Sequence, residues 1–146
     1  MITYEDKIAL YENTDIANIN KVTASDMNEI KNVVNGMIES GSNDNGSWIK
    51  YSDGRLITMH KVTRTLARTS TWGNMYESTT QADLGNYPMA FKDIPFVYVT
   101  LHEVNALLEA VQFSSANNAG KVYILAPTLS ESADYTFQVL AIGRWK

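Results

Sequence analysis

The apolar residues of Val22–Ile38 (VTASDMNEIKNVVNGMI) stand at Met27, Ile30, Val34 and Met37, spaced three, four and three apart. That is a short heptad seam, and it asks for partner helices rather than a flat core. A polar run follows, Ser40–Ser47 (SGSNDNGS). Beyond it the pattern changes to period two, with aromatic-rich strands, and stays so to the last residue. An associating helix, a hinge and an all-β module make the layout of an oligomeric display protein, not of a small enzyme. The expected division is 1–47 for an N-terminal arm, oligomerising helix and linker, and 48–146 for the β module.

Local chemistry supports the helix start. Thr23 caps it, Asp26 answers as the acidic member of a capping box, and Val22 and Met27 form a hydrophobic staple. Gly36 weakens the last turn by about 1 kcal/mol relative to alanine, and Ser40-Gly41 ends it. A helix of about 15 residues is marginal alone in water. Two readings stand: a parallel coiled coil joining copies of the chain, or an amphipathic helix folded back on its own β module. The flexible linker favours the first. Ahead of the helix, residues 1–21 have no clean period and contain turn-prone Asn13-Thr14-Asp15. They read as an extended arm, with a short turn of helix near Lys7–Tyr11.

Composition narrows the function classes. The 146 residues contain no cysteine, which removes disulfide staples, thiolate metal sites and cysteine nucleophiles. No apolar run approaches the roughly 18 residues of a membrane span. The opening MITYEDKIAL is acidic and mixed, so no cleavable signal peptide is expected. The net charge of −4 is uneven: residues 1–47 carry eight acids and three bases, and the β module carries eight acids and nine bases. The basic stretch Lys50, Arg55, Lys61, Arg64 and Arg68 is too sparse for a nucleic-acid stripe and reads as a solvated strand face.

Within the β module, Trp48–Tyr51 and Arg55–Val62 flank Ser52-Asp53-Gly54, a hairpin signal. Thr63–Gly85 reads as strand in its early part and as a long loop thereafter. Phe96–Glu103 alternates strongly, Leu107–Ser114 is the next strand, and Asn117–Gly120 is a turn. Lys121–Ala126 reads as a buried strand. In the closing run, Tyr135, Phe137, Val139, Ala141 and Trp145 share one face. Leu140 and Ile142 fall on the other, so this strand is expected to bury part of both faces. About six or seven short strands with turns between them predict a mainly β fold, an antiparallel β-sandwich with one short N-terminal helix.

Catalytic chemistry is hard to find. His60 and His102 lie in strand patterns without a second ligand at metal spacing, so no metal site is expected. No carboxylate pair is marked out for glycoside hydrolysis, and nucleophile, phosphate-loop and dinucleotide motifs are absent. No catalytic residue and no cofactor is therefore assigned. The aromatics are more informative. Flat rings beside Asn, Asp, Gln and Thr suit stacking on a sugar, and the loop around Trp72–Asn86 has both. Trp72, Tyr76, Asp83 and Asn86 are the candidate ligand residues; Trp48 and Tyr87 read equally well as core.

Four segments together resemble a known family. TASDMNEIKNVVN resembles the short helical segment before the heads of tail proteins in phages and prophages of Gram-positive bacteria. WIKYSDGRLIT is similar to the opening hairpin of tail-fibre heads, YPMAFKDIPFVYVT to their middle block, and YTFQVLAIGRWK to their closing strand. The order agrees, over about half of the chain. The resemblance marks Trp48, Lys50, Gly54, Pro88, Phe91, Pro95, Gly143 and Trp145 as structural positions and assigns no binding residue. It implies a homotrimeric β-sandwich head of a tail fibre or baseplate receptor-binding protein. Such a protein is made in the bacterial cytoplasm and resides in the virion tail. Its N-terminal arm would join other tail or baseplate proteins, and its head would meet a host cell-surface saccharide or protein; no nucleic acid or membrane partner is implied. A purely structural tail or baseplate protein, and a polysaccharide-cleaving enzyme, are the alternatives.

Overall fold

The computed structural model describes residues 24–36, 38–102 and 106–146, apart from the side chains of Ala24 and Asn35. The chain divides into two compact units, Met1–Glu39 and Ser40–Lys146. In the first, helix α1 spans Ala24–Asn35 with Asp26 in its first turn, where an acid meets the positive helix end. The Gly36 amide donates to the Asn32 carbonyl (3.0 Å) and the helix stops there. It therefore ends a turn earlier than Ser40-Gly41, because glycine is a poor interior helix residue. The expected cap at Thr23, the arm 1–21 and Met37 lie outside the described residues.

The second unit is mainly β and antiparallel, as the alternation requires. Its strands are β1 (Ile38–Asn43), β2 (Gly46–Tyr51), β3 (Arg55–Trp72), β4 (Met75–Ser78), β5 (Ala82–Asp83), β6 (Phe96–Leu101), β7 (Leu107–Leu108), β8 (Lys121–Val122), β9 (Ile124–Ala126) and β10 (Ser130–Arg144). The main sheet runs β1-β2-β3-β4-β9-β7, with β10 pairing β3 along one side and β6 beyond it. A small second sheet pairs β5 with β8.

Two expectations change. Ser40–Ser47 is not a linker: its first half completes β1, which pairs with β2. Pairing needs only backbone groups, and a polar edge strand is a stable one. Gly41 also has a packing role, since a Cβ there would stand 2.6 Å from Trp48 Cζ2. The β unit thus begins at Ser40 rather than Trp48. Nor is Thr63–Gly85 mostly loop. Strand β3 continues to Trp72, with Leu66 and Arg68 buried at alternate positions and β-branched Thr63, Thr65, Thr69 and Thr71 on either side of them, which suit a pleated surface. Lys121–Ala126 divides at Tyr123 into β8 and β9, which serve different sheets.

The core lies between the inner face of the main sheet and a cover made by the small sheet and the segment after it. Leu56, Phe137, Val139 and Ala141 come from the sheet; Leu84, Tyr87, Phe91 and Val122 close over them. The positions marked by the sequence resemblance meet at one corner. Lys50 Nζ stands 4.6 Å from the Trp145 ring centroid and 5.9 Å from that of Trp48. Trp145 Nε1 donates to the Tyr51 carbonyl (2.9 Å), and its amide donates to the Gly54 carbonyl (3.0 Å). Asn43 Nδ2 donates to the Pro88 carbonyl (2.7 Å). Phe91 and Pro95 close over Gly143, where a Cβ would meet them at 2.8 and 3.0 Å.

Candidate functional site

The outer face of the main sheet, opposite the core, is the most unusual surface. Register aligns its side chains in rows, because paired residues on antiparallel strands project to the same side. One row is Ile49, Ile57, Ile142 and Phe96; the next is Ser47, Met59, Leu140 and Tyr98. Further along, the rows turn polar: Lys61, Gln138 and Thr100, then Thr63 and Thr136, whose hydroxyls hydrogen-bond at 3.0 Å. Phe96 is 88% exposed, Tyr98 65% and Ile142 44%. An open groove of about 530 Å³ lies where the apolar and polar rows meet, lined by Met59, Lys61, Tyr98, Thr100, Gln138 and Leu140. The closing strand was expected to bury part of both its faces. Within one chain it buries the inner face, while Leu140 is half-buried and Ile142 exposed.

On α1, Met27, Ile30 and Val34 are 45%, 54% and 38% exposed, and Val33 joins them at 58%. These side chains form one apolar stripe along the helix, and no described helix is long and apolar enough to cross a membrane.

The four candidate ligand residues do not converge. Trp72 and Tyr76 belong to the β3–β4 hairpin, with Trp72 opposite Met75 and Tyr76 opposite Thr71. Neighbouring pairs in a ladder face opposite sides, so the two rings project from opposite faces of the hairpin. Trp72 is exposed and Tyr76 half-buried. Asp83 is elsewhere: its carbonyl accepts from Arg64 Nε (2.8 Å), and its carboxylate accepts the Gly85 amide (2.8 Å). Arg64 lies eight residues before Trp72 on β3, about 26 Å along a strand. Asn86 Oδ1 accepts from Asn118 Nδ2 (3.1 Å), and the two residues form an isolated antiparallel bridge. Asp83 and Asn86 thus brace the cover segment.

Of the two histidines, His60 has structural surroundings and His102 is exposed. His60 Nε2 donates to the Leu84 carbonyl (2.7 Å), and its ring meets Tyr87 edge-on at 6.4 Å. The Tyr87 hydroxyl is buried and unpartnered, and burial pushes its pKa up to about 12. Among the described residues no three His, Cys, Asp or Glu side chains gather into a metal-binding group.

A residue the sequence reasoning passed over is Arg68. It is 8% exposed, faces the core side of β3 opposite Ser78, and its guanidinium lies 5.5 Å from the Tyr135 ring centroid. The signal was the alternation Leu56, Thr58, His60, Val62, Arg64, Leu66, Arg68. Carried past Val62, it points an arginine inward.

No protein-family model and no curated protein matches this chain. Two solved structures are similar to it. One is an N-truncated R1-type pyocin tail fibre, with 18% identity over 85% of this chain and 98% of that one, at a TM-score of 0.49. The other is a P. aeruginosa R1 pyocin fibre comprising C-terminal residues, with 18% identity over 97% of this chain and 39% of that one, at a TM-score of 0.48. Both of those proteins are tail fibres.

Proposed function

We propose that this chain is a non-enzymatic tail-fibre or baseplate protein of a phage or prophage. It acts as a homotrimer whose β heads meet a host-surface saccharide or protein. The observation that carries the self-association is the outer sheet face. Met59, Ile142, Tyr98 and Phe96 leave on the order of 400–500 Å² of contiguous apolar surface in water, at about 150–250 Å² per large side chain. The largest apolar patch on a typical monomer is about 300–600 Å² and is often functional, so a patch of this size suits a contact surface. Sister copies remove that surface if the rows of each chain face the trimer axis, and the Met27, Ile30 and Val34 stripe of α1 is the second association element. The arm 1–21 then joins the trimer to the rest of the virion tail.

Repetition makes weak surface contacts useful: three heads per trimer, and several trimers per particle, raise avidity by orders of magnitude without new contacts. The dispersal of Trp72, Tyr76, Asp83 and Asn86 favours a second reading, a structural tail protein with no ligand of its own. Light scattering tests the assembly: a mass of three chains is expected, and a stable monomer at micromolar concentration overturns it. Adsorption of the labelled protein to host cells separates the two readings. Binding supports the receptor role, and absence of binding to every host wall leaves the structural one.

A further inference from the structure

Arg68 is the one described arginine buried at the edge of the core. Its Nε and Nη1 are buried and have no hydrogen-bond partner, and neither has the buried Tyr135 hydroxyl. Three orphaned polar atoms therefore sit around one cation. Buried guanidinium groups are ordinarily paired with a carboxylate, and among the described residues Arg68 has none. The cation–π contact with Tyr135 recovers part of the desolvation cost and satisfies no N–H. Water satisfies hydrogen bonds but does not neutralise charge. An oxyanion does both, because two parallel N–H donors of the guanidinium fork match a carboxylate or phosphate edge.

The surroundings suit a group carried on a larger molecule. Ser78 stands opposite Arg68 in the ladder, and its hydroxyl already accepts the Ile124 amide (3.2 Å). Tyr76 is two residues further along β4, on the same face, about 7 Å away. It is half-buried. On the other side β10 pairs Ser130 with Arg68 and departs from regular pairing between Ser130 and Ala133, next to that pair. Such a bulge opens the ladder locally.

We propose that Arg68 and Tyr135 form an anion-binding site for a carboxylate or phosphate group of an acidic surface polymer, with Tyr76 flanking the adjoining sugar ring. The polymer rests on the function proposed above; the anion site does not. Trp72 is no part of it, since it projects from the opposite face.

The full chain is titrated at constant ionic strength with inorganic phosphate, with glucuronate and with neutral glucose, followed by calorimetry and by thermal unfolding. Saturable binding of at least one anion and none of glucose is expected; phosphate alone points to a phosphorylated polymer, glucuronate alone to an acidic sugar. Arg68→Met removes the saturable part and leaves only the general stabilisation that phosphate gives any fold. Arg68→Lys keeps the charge, loses the fork and weakens binding at least tenfold. Tyr135→Phe deletes one hydroxyl and weakens it several-fold, so the site is testable even if Arg68→Met fails to fold. Tyr76→Ala weakens glucuronate and spares phosphate; equal effects on both remove Tyr76 from the site. Wild-type protein that binds neither anion, or Arg68→Met that binds both unchanged, overturns the proposal. A trimer that adsorbs to cells but binds no anion refutes the site alone, whereas a monomer that binds phosphate refutes the assembly alone.

Discussion

Replacing Gly143 with alanine tests how the corner of the fold is built. The backbone there is not in the left-handed region, so alanine meets no conformational penalty. The added methyl would stand 2.8 Å from Phe91 Cδ1, 3.0 Å from Pro95 Cβ and 3.2 Å from Phe91 Cε1. Phe91 has little room to retreat: it is 5% exposed and meets the Tyr87 ring edge-on at 4.9 Å. Overpacking of this kind costs about 1–3 kcal/mol. Losing glycine's freedom in the unfolded chain returns about 0.5–1 kcal/mol. The net expectation is about 1–2 kcal/mol of destabilisation, a fall of roughly 5–10 °C in Tm for a domain of about 100 residues. Urea and thermal unfolding at one fixed protein concentration measure it, since association shifts apparent stability. The decisive arm is a double-mutant cycle with Phe91→Leu. Trimming the ring makes space for the methyl, so the double variant should be more stable than the sum of the singles by about 0.5–1.5 kcal/mol. Additivity within about 0.3 kcal/mol, or a Gly143→Ala protein as stable as wild type, refutes the packing argument.

Tyr87 predicts an alkaline limit. Its folded pKa of about 12 lies above a tyrosine's ordinary 10.0, so the unfolded chain ionises first. The stability it supports is complete below pH 10 and is lost as pH rises towards 12. Tyr87→Phe should flatten that decline while costing little at pH 7, because the hydroxyl it removes is unpartnered; Tm against pH for both proteins is the check. Leu140→Glu places a carboxylate in the middle of the outer apolar rows. It should lower the solution mass to that of a single chain with the β circular dichroism intact, and an unchanged trimer removes that face from the interface. Gly41→Val would press a side chain on Trp48, where even a Cβ comes to 2.6 Å; red-shifted tryptophan fluorescence and a lower Tm are expected, and an unaltered spectrum contradicts the contact. Trp72→Ala should leave Tm within about 2 °C, as suits an exposed side chain at a strand end.

Much of the β unit was legible in the chain. The Ser52-Asp53-Gly54 hairpin, the strand from Phe96 and the inward set Tyr135, Phe137, Val139 and Ala141 all follow from period-two alternation and turn chemistry, which act over a few residues. The misreadings share a cause. Ser40–Asn43 has no apolar pattern, yet it is a strand because β2 offers an edge for its backbone and Gly41 leaves room for Trp48. The Thr-rich continuation of β3 looks like loop until β4 and β10 pair with it. Trp72 and Tyr76 looked like one platform because they are close in sequence, but the ladder sends them to opposite faces.

By itself the sequence determined which residues alternate, where the chain turns and where an amphipathic helix stands, since each depends on neighbours within a turn or two. Only the tertiary structure decided what meets across distance. It brought Phe91 and Pro95 against Gly143, Arg68 over Tyr135, and Ile57, Ile142 and Phe96 into one row. The reason is register: β3 and β10 are joined by hydrogen bonds between residues some eighty positions apart, and a shift of one residue would exchange every inner side chain with an outer one.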